Sequence, residues 1–86
     1  MKTIRLDISN IQTIRALHVY LAYMLDLPAY YGKNLDALHD VLCEESDDVR
    51  IMLTGMPASD EMEAYLPRLV RVLGDSENAH VHFERI

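Results

Sequence analysis

Eighty-six residues, half of them hydrophobic and 26% charged, describe a single folded domain over residues 1–86 and exclude both a multidomain machine and a disordered chain. Eight Lys and Arg against fourteen Asp and Glu leave a formal charge of −6, the wrong sign for gripping a phosphate backbone, so direct nucleic-acid binding is not expected. No apolar run approaches the roughly 18 residues of a membrane span, Met1 to Asn10 lacks signal-peptide features, and the single Cys43 cannot form an internal disulfide, so a cytoplasmic, reducing location without membrane contact is expected.

Ile4, Leu6 and Ile8 alternate with Thr3, Arg5 and Asp7, the period of a strand with one face toward a core. Thr13 is placed to cap a helix in which Ile14, Leu17, Leu21, Met24 and Leu25 recur at helical spacing, with His18 flanking the core. That helix ends before Pro28. After the loop Asp26 to Lys33, Asn34 is a good N-cap for a second helix with Leu35, Leu38, Val41 and Leu42 on its inner face. Val49 to Thr54 reads as a strand closed by Gly55 and Pro57. From Ser59 to Leu73 the apolar positions again have helical spacing, but Pro67 removes a donor in the middle, so two helices are expected there, the second ended by Gly74. His80 to Arg85 alternates like a last strand, with His80 and His82 sharing a face. The order predicts an α/β domain: a small three-stranded parallel sheet packed with about four helices.

The charge is concentrated. Between Asn34 and Val49 lie Asp36, Asp40, Glu44, Glu45, Asp47 and Asp48 without a single Lys or Arg, while the remainder of the chain is balanced. On the second helix Asp36, Asp40 and Glu44 form a stripe opposite the leucines, spaced about 6 Å along the axis. Like charges at that spacing oppose the helix by roughly 0.2–0.5 kcal/mol per pair, and Glu44 and Glu45 also oppose the negative end of its dipole. An unrelieved stripe leans toward binding a cationic partner, with a simple solvated face as the alternative.

Other chemistry is less well served. Carboxylates plus His39 could hold a divalent cation, but no calcium-loop pattern and no His or Cys pair at ligand spacing accompanies them. His39 and Cys43, one turn apart, lack the third group that orients a nucleophile and its base. No Gly-rich phosphate loop or Ser elbow is present. The chain is therefore expected to be neither an enzyme nor a carrier of a cofactor or metal. Beside the acidic helix, Pro28-Ala29-Tyr30-Tyr31-Gly32-Lys33 offers two tyrosines, a residue type enriched where proteins recognise one another. One ring is expected to pack inward and the other to remain free.

The segment Leu27-Pro28-Ala29-Tyr30-Tyr31-Gly32-Lys33-Asn34-Leu35-Asp36-Ala37-Leu38-His39-Asp40-Val41-Leu42 resembles the centre of the barstar family, intracellular inhibitors of small secreted ribonucleases. Elsewhere the likeness lies in element order and in Leu17-His18 of the first helix. The resemblance implies a barstar-like fold and a non-catalytic inhibitor that inserts its loop and second helix into a basic ribonuclease cleft. Carried over by position, Tyr30, Gly32 and Asn34 line the contact, Asp36 pairs with a basic residue of the cleft, and Asp40 takes the place of a substrate phosphate. Tyr31, His39, Cys43 and Glu44 complete the implied interface, and Asp75 is the counterpart of a further carboxylate on the last helix. The chain departs from the family pattern at His39, where Trp is common, and has no Trp at all.

The implied partner is a basic ribonuclease or a ribonuclease toxin domain, the chain then being its immunity protein and binding as a monomer, one to one. A non-inhibitory acidic interaction module is the alternative.

Overall fold

The computed structural model describes residues 2–86. Three strands, β1 (Lys2–Asp7), β2 (Val49–Thr54) and β3 (Val81–Arg85), and three helices, α1 (Ile14–Met24), α2 (Leu35–Cys43) and α3 (Asp60–Asp75), follow one another as β1-α1-α2-β2-α3-β3. The strands are parallel in the order β1-β2-β3, with Ile4 opposite Ile51 and Ile51 opposite Phe83. Parallel neighbours need crossovers, which α1 with α2 and then α3 supply.

Ile4, Leu6, Val49, Ile51, Leu53 and Val81 turn inward, while Thr3, Arg5 and Arg50 between them are exposed. One face of the sheet therefore carries the core and the other faces water, an uncommon arrangement for parallel strands, which are usually covered on both sides. Helical residues at the expected periodicity, Leu17 and Leu21, Leu38 and Leu42, and Met62, Leu66, Leu69 and Leu73, close the core from above.

Each helix starts where local chemistry provides a cap. The side chains of Thr13, Asn34 and Ser59 accept hydrogen bonds from the backbone N–H groups of Ala16, Ala37 and Met62, satisfying donors that have no partner inside the helix. Two further bonds tie the starts of α1 and α3 together: Glu61 accepts from the Ile14 amide at 2.6 Å, and the Ser59 hydroxyl donates to the Gln12 carbonyl at 2.6 Å.

Three details differ from expectation. Residues 60–75 form one helix with Pro67 inside it, so the domain has three helices rather than four. A proline in a helix interior costs about 3 kcal/mol through its missing N–H and its clash with the preceding turn. Here Pro67 and Glu63, whose carbonyl loses its partner, are both exposed, so water can solvate that carbonyl. The opposite face buries Met62, Tyr65, Leu66, Leu69 and Leu73, which holds the helix through the defect. Nor does Gly74 end α3: the helix runs to Asp75, and Ser76 caps it, its hydroxyl donating to the Val72 carbonyl at 2.7 Å. His18, finally, does not flank the core but lies within it, 1% exposed.

A Cβ on Gly74 would meet nothing within 4 Å. Gly74→Ala should therefore stabilise the domain by about 0.5–1 kcal/mol, because alanine loses less backbone freedom on entering a helix. Thermal unfolding should show a rise of roughly 2–8 °C in Tm, and an unchanged or lower Tm would count against a helical Gly74.

Candidate protein-binding site

The loop between α1 and α2 is shaped by two residues in left-handed backbone, Asp26 at φ 51° and Lys33 at φ 56°. Non-glycine residues adopt that region at a cost of roughly 1 kcal/mol or more, so contacts elsewhere must hold the loop. Among them, the Leu27 amide donates to the Ala22 carbonyl at 3.0 Å and the Tyr31 amide to the Pro28 carbonyl at 3.0 Å. Asn34 then does two jobs. Its Oδ1 accepts from the Ala37 amide at 2.8 Å to start α2, and its Nδ2 donates to the Gly32 carbonyl at 3.2 Å, fastening the loop to the helix it precedes. Gly32 lies so close that a Cβ there would stand 3.3 Å from both the Ala37 methyl and the Asn34 amide nitrogen.

The two tyrosines divide as expected. Tyr30 is 76% exposed, while Tyr31 is 7% exposed, its hydroxyl bonded to His18. Burial pushes the Tyr31 phenol well above its ordinary range, the neighbouring Tyr65 adding to the effect, and burial likewise holds His18 below the usual histidine value. Both are therefore neutral near pH 7.

Loop and helix enclose a cleft of about 290 Å³ lined by Tyr30, Tyr31, Gly32, Ala37, Asp40, Val41 and Glu44. Asp36 is exposed in the first turn of α2, and Asp40 and Glu44 are exposed further along it. His39 is half-buried, and Cys43 is exposed and outside any disulfide, with its Sγ 3.7 Å from the nitrogens of the His39 ring. Among the described residues the one ion-pair contact joins His80 Nδ1 to Asp48 Oδ1 at 3.0 Å; no arginine or lysine meets Asp36, Asp40 or Glu44. His80 itself sits just before β3, while His82 lies half-buried within it.

The structure thus brings Tyr30, Tyr31, Gly32, Asp40 and Glu44 around one cleft, with Asn34 holding its wall. Asp36, His39 and Cys43 lie on the same helix outside its lining, and Asp75 is exposed at the end of α3, also outside it. Ala37 and Val41 were not legible as cleft residues. Both are half-buried, four residues apart at the boundary between the leucine face and the acidic stripe, a position at which periodicity is ambiguous. Among the described residues no three His, Cys, Asp or Glu side chains converge on a metal-sized space. No helix there is long and apolar enough to cross a membrane.

Comparison with known proteins agrees with this architecture. The chain is 48% identical over 42 residues to the Bacillus subtilis (strain 168) protein named "Putative ribonuclease inhibitor YrdF", a match covering 49% of this chain and 46% of that protein, less than half of the relative's own length. The profile of the family described as Barstar (barnase inhibitor) matches residues 1–84. Nearly the whole chain is covered by that match, and the chain belongs to the Barstar family.

Proposed function

We propose that this chain is a proteinaceous inhibitor of a small basic ribonuclease or ribonuclease toxin, acting in the cytoplasm as its immunity protein, one molecule to one, without catalysis. The observation that carries this reading is the exposed carboxylate stripe of Asp36, Asp40 and Glu44, met by no arginine or lysine among the described residues and set beside a tyrosine-lined cleft. A folded domain that leaves like charges unrelieved on a short helix sacrifices some stability, and a cationic partner recovers it. The description of the family as barnase inhibitors and the name of the Bacillus relative support the same partner class.

Asp40, on the cleft, stands in for a substrate phosphate and accepts several charge-assisted hydrogen bonds from the nuclease. Asp36 pairs with a second cation one turn away. Tyr30 supplies an exposed ring to pack on the partner, and Asn34 and Gly32 set the loop that presents it. His39 replaces a flat apolar contact with a polar one, which directs the chain toward a nuclease whose rim differs from that met by a Trp-bearing relative. Glu44 and the acids that follow act chiefly on encounter.

The test is titration of a purified small basic ribonuclease, or of a purified ribonuclease toxin domain, with measurement of RNA cleavage and binding kinetics. Cleavage should fall to zero at one equivalent. Raising salt from about 50 to about 500 mM should slow association at least tenfold and change dissociation by less than about twofold, since exposed charge is screened during encounter. A bound partner whose RNA cleavage persists would leave only a non-inhibitory interaction module, and a salt-insensitive association rate would remove electrostatic steering.

A further inference from the structure

Beneath the candidate loop, three parts of the chain meet through polar groups buried in the core. His18 of α1 places Nδ1 2.5 Å from the Tyr31 hydroxyl of the loop and Nε2 2.9 Å from the Tyr65 hydroxyl of α3. Both ring centroids lie 5.9 Å from that of His18. Tyr65, like Tyr31, is 7% exposed, so water does not readily replace either hydrogen bond.

A neutral imidazole has one N–H and one bare nitrogen. One tyrosine hydroxyl therefore donates to His18 while the other accepts from it, and the two bonds share a single ring orientation. Removing the Tyr65 oxygen leaves Nε2 without its partner in the core and frees the ring that Tyr31 depends on. A change on α3 is thereby felt in the loop, since Tyr65 and Tyr31 belong to separate elements and both hydrogen-bond to His18. The loop needs such an anchor because Asp26 and Lys33 bracket it in left-handed backbone.

We infer that Tyr65 and His18 are positioning residues for the binding loop, holding residues 27–33 through the Tyr31 hydroxyl in the shape that presents Tyr30 and Gly32 beside Asp40. The consequence for inhibition rests on the function proposed above; the coupling to the loop does not.

Tyr65→Phe keeps the ring, its packing and the Arg68 guanidinium 5.4 Å from its centroid, and removes one oxygen. In the free chain, hydrogen exchange at the Leu27 and Tyr31 amides, both bonded within or next to the loop, should accelerate about three- to tenfold. Exchange at Ile51 and Leu53 of β2 should change by a clearly smaller factor. In the complex, dissociation from the nuclease should accelerate by a similar three- to tenfold while association stays within about twofold. His18→Gln, whose amide has both a donor and an acceptor, should restore much of the loop protection that His18→Leu loses.

Equal acceleration in loop and β2 would mean that Tyr65 merely stabilises the fold, and would overturn the inference. So would unchanged loop exchange in a chain that inhibits its nuclease. Faster loop exchange in a chain that inhibits no ribonuclease would support the coupling and sink the inhibitory reading alone.

Discussion

Asp40→Ala should weaken binding to the nuclease by at least about 2 kcal/mol, roughly thirtyfold in Kd, while leaving the free chain as stable as before or slightly more so. The asymmetry follows from where Asp40 sits. It is exposed, paired with no arginine or lysine among the described residues, and flanked one turn away on each side by Asp36 and Glu44, so its removal relieves repulsion and breaks no ion pair among them. In the proposed complex the position would be reversed. A carboxylate on the cleft would be enclosed by the partner's basic groups, and its truncation would strand those groups, desolvated, without a counter-charge.

The loss should appear in dissociation. Glu44→Gln should instead slow association and leave dissociation nearly unchanged, because a charge at the edge of the contact acts on encounter. Surface plasmon resonance or stopped-flow fluorescence separates the two rates. An Asp40→Ala chain that binds its nuclease as tightly as the parent would place the contact elsewhere on the molecule.

Gly55→Ala should destabilise the fold by about 2–4 kcal/mol, a large share of the roughly 4–13 kcal/mol expected for a domain of this length. Gly55 follows β2 at φ +99°, a backbone conformation that residues with a Cβ rarely adopt. Space is short as well. A Cβ would stand 2.5 Å from Ser9 Oγ, 2.7 Å from Asp7 Oδ1 and 3.0 Å from the Ser9 amide nitrogen. The same Asp7 carboxylate accepts from the Ser9 amide at 2.9 Å, and hydrogen bonds from Ser9 hold its pKa below the ordinary range. The methyl group would thus disrupt the turn that carries the chain from β1 toward α1, as well as strain the end of β2. Thermal unfolding should show a fall of roughly 8–30 °C in Tm. Adding Ser9→Ala removes the nearest obstacle and should recover only part of the loss, since the backbone strain remains. Full recovery would mean that the clash alone matters, and no loss at all would mean that the turn relaxes freely.

Much of the fold was legible because short-range chemistry decides it. Thr13 and Asn34 each cap the helix that follows, since an N-cap needs only its own side chain and an amide three residues on. Val49–Thr54 forms the strand that its run of aliphatic residues implied. The acidic stripe on α2 followed from helical geometry, and Asp36, Asp40 and Glu44 are exposed as that geometry required.

Elsewhere local rules pointed the wrong way or were silent. Pro67 reads as a helix boundary because its missing donor is a local fact; that α3 continues is due to the row of residues it buries on its far side. His18 reads as a boundary residue because an isolated imidazole is poorly suited to a core. It is buried because Tyr31 and Tyr65 arrive from 13 and 47 residues away with the hydrogen bonds it needs.

By itself, then, the sequence determined the order of the strands and of the helical crossovers between them, the starts of α1 and α2, the acidic face of α2 and the family resemblance. All of these depend on residues within a few positions of one another or on a contiguous motif. Tertiary structure alone decided which tyrosine remained outside, that Ala37 and Val41 line the cleft with Asp40 and Glu44, and that a buried histidine links the loop to two helices. Those outcomes turn on burial and hydrogen-bond satisfaction, which depend on partners supplied from distant parts of the chain and so leave no signature at any local spacing.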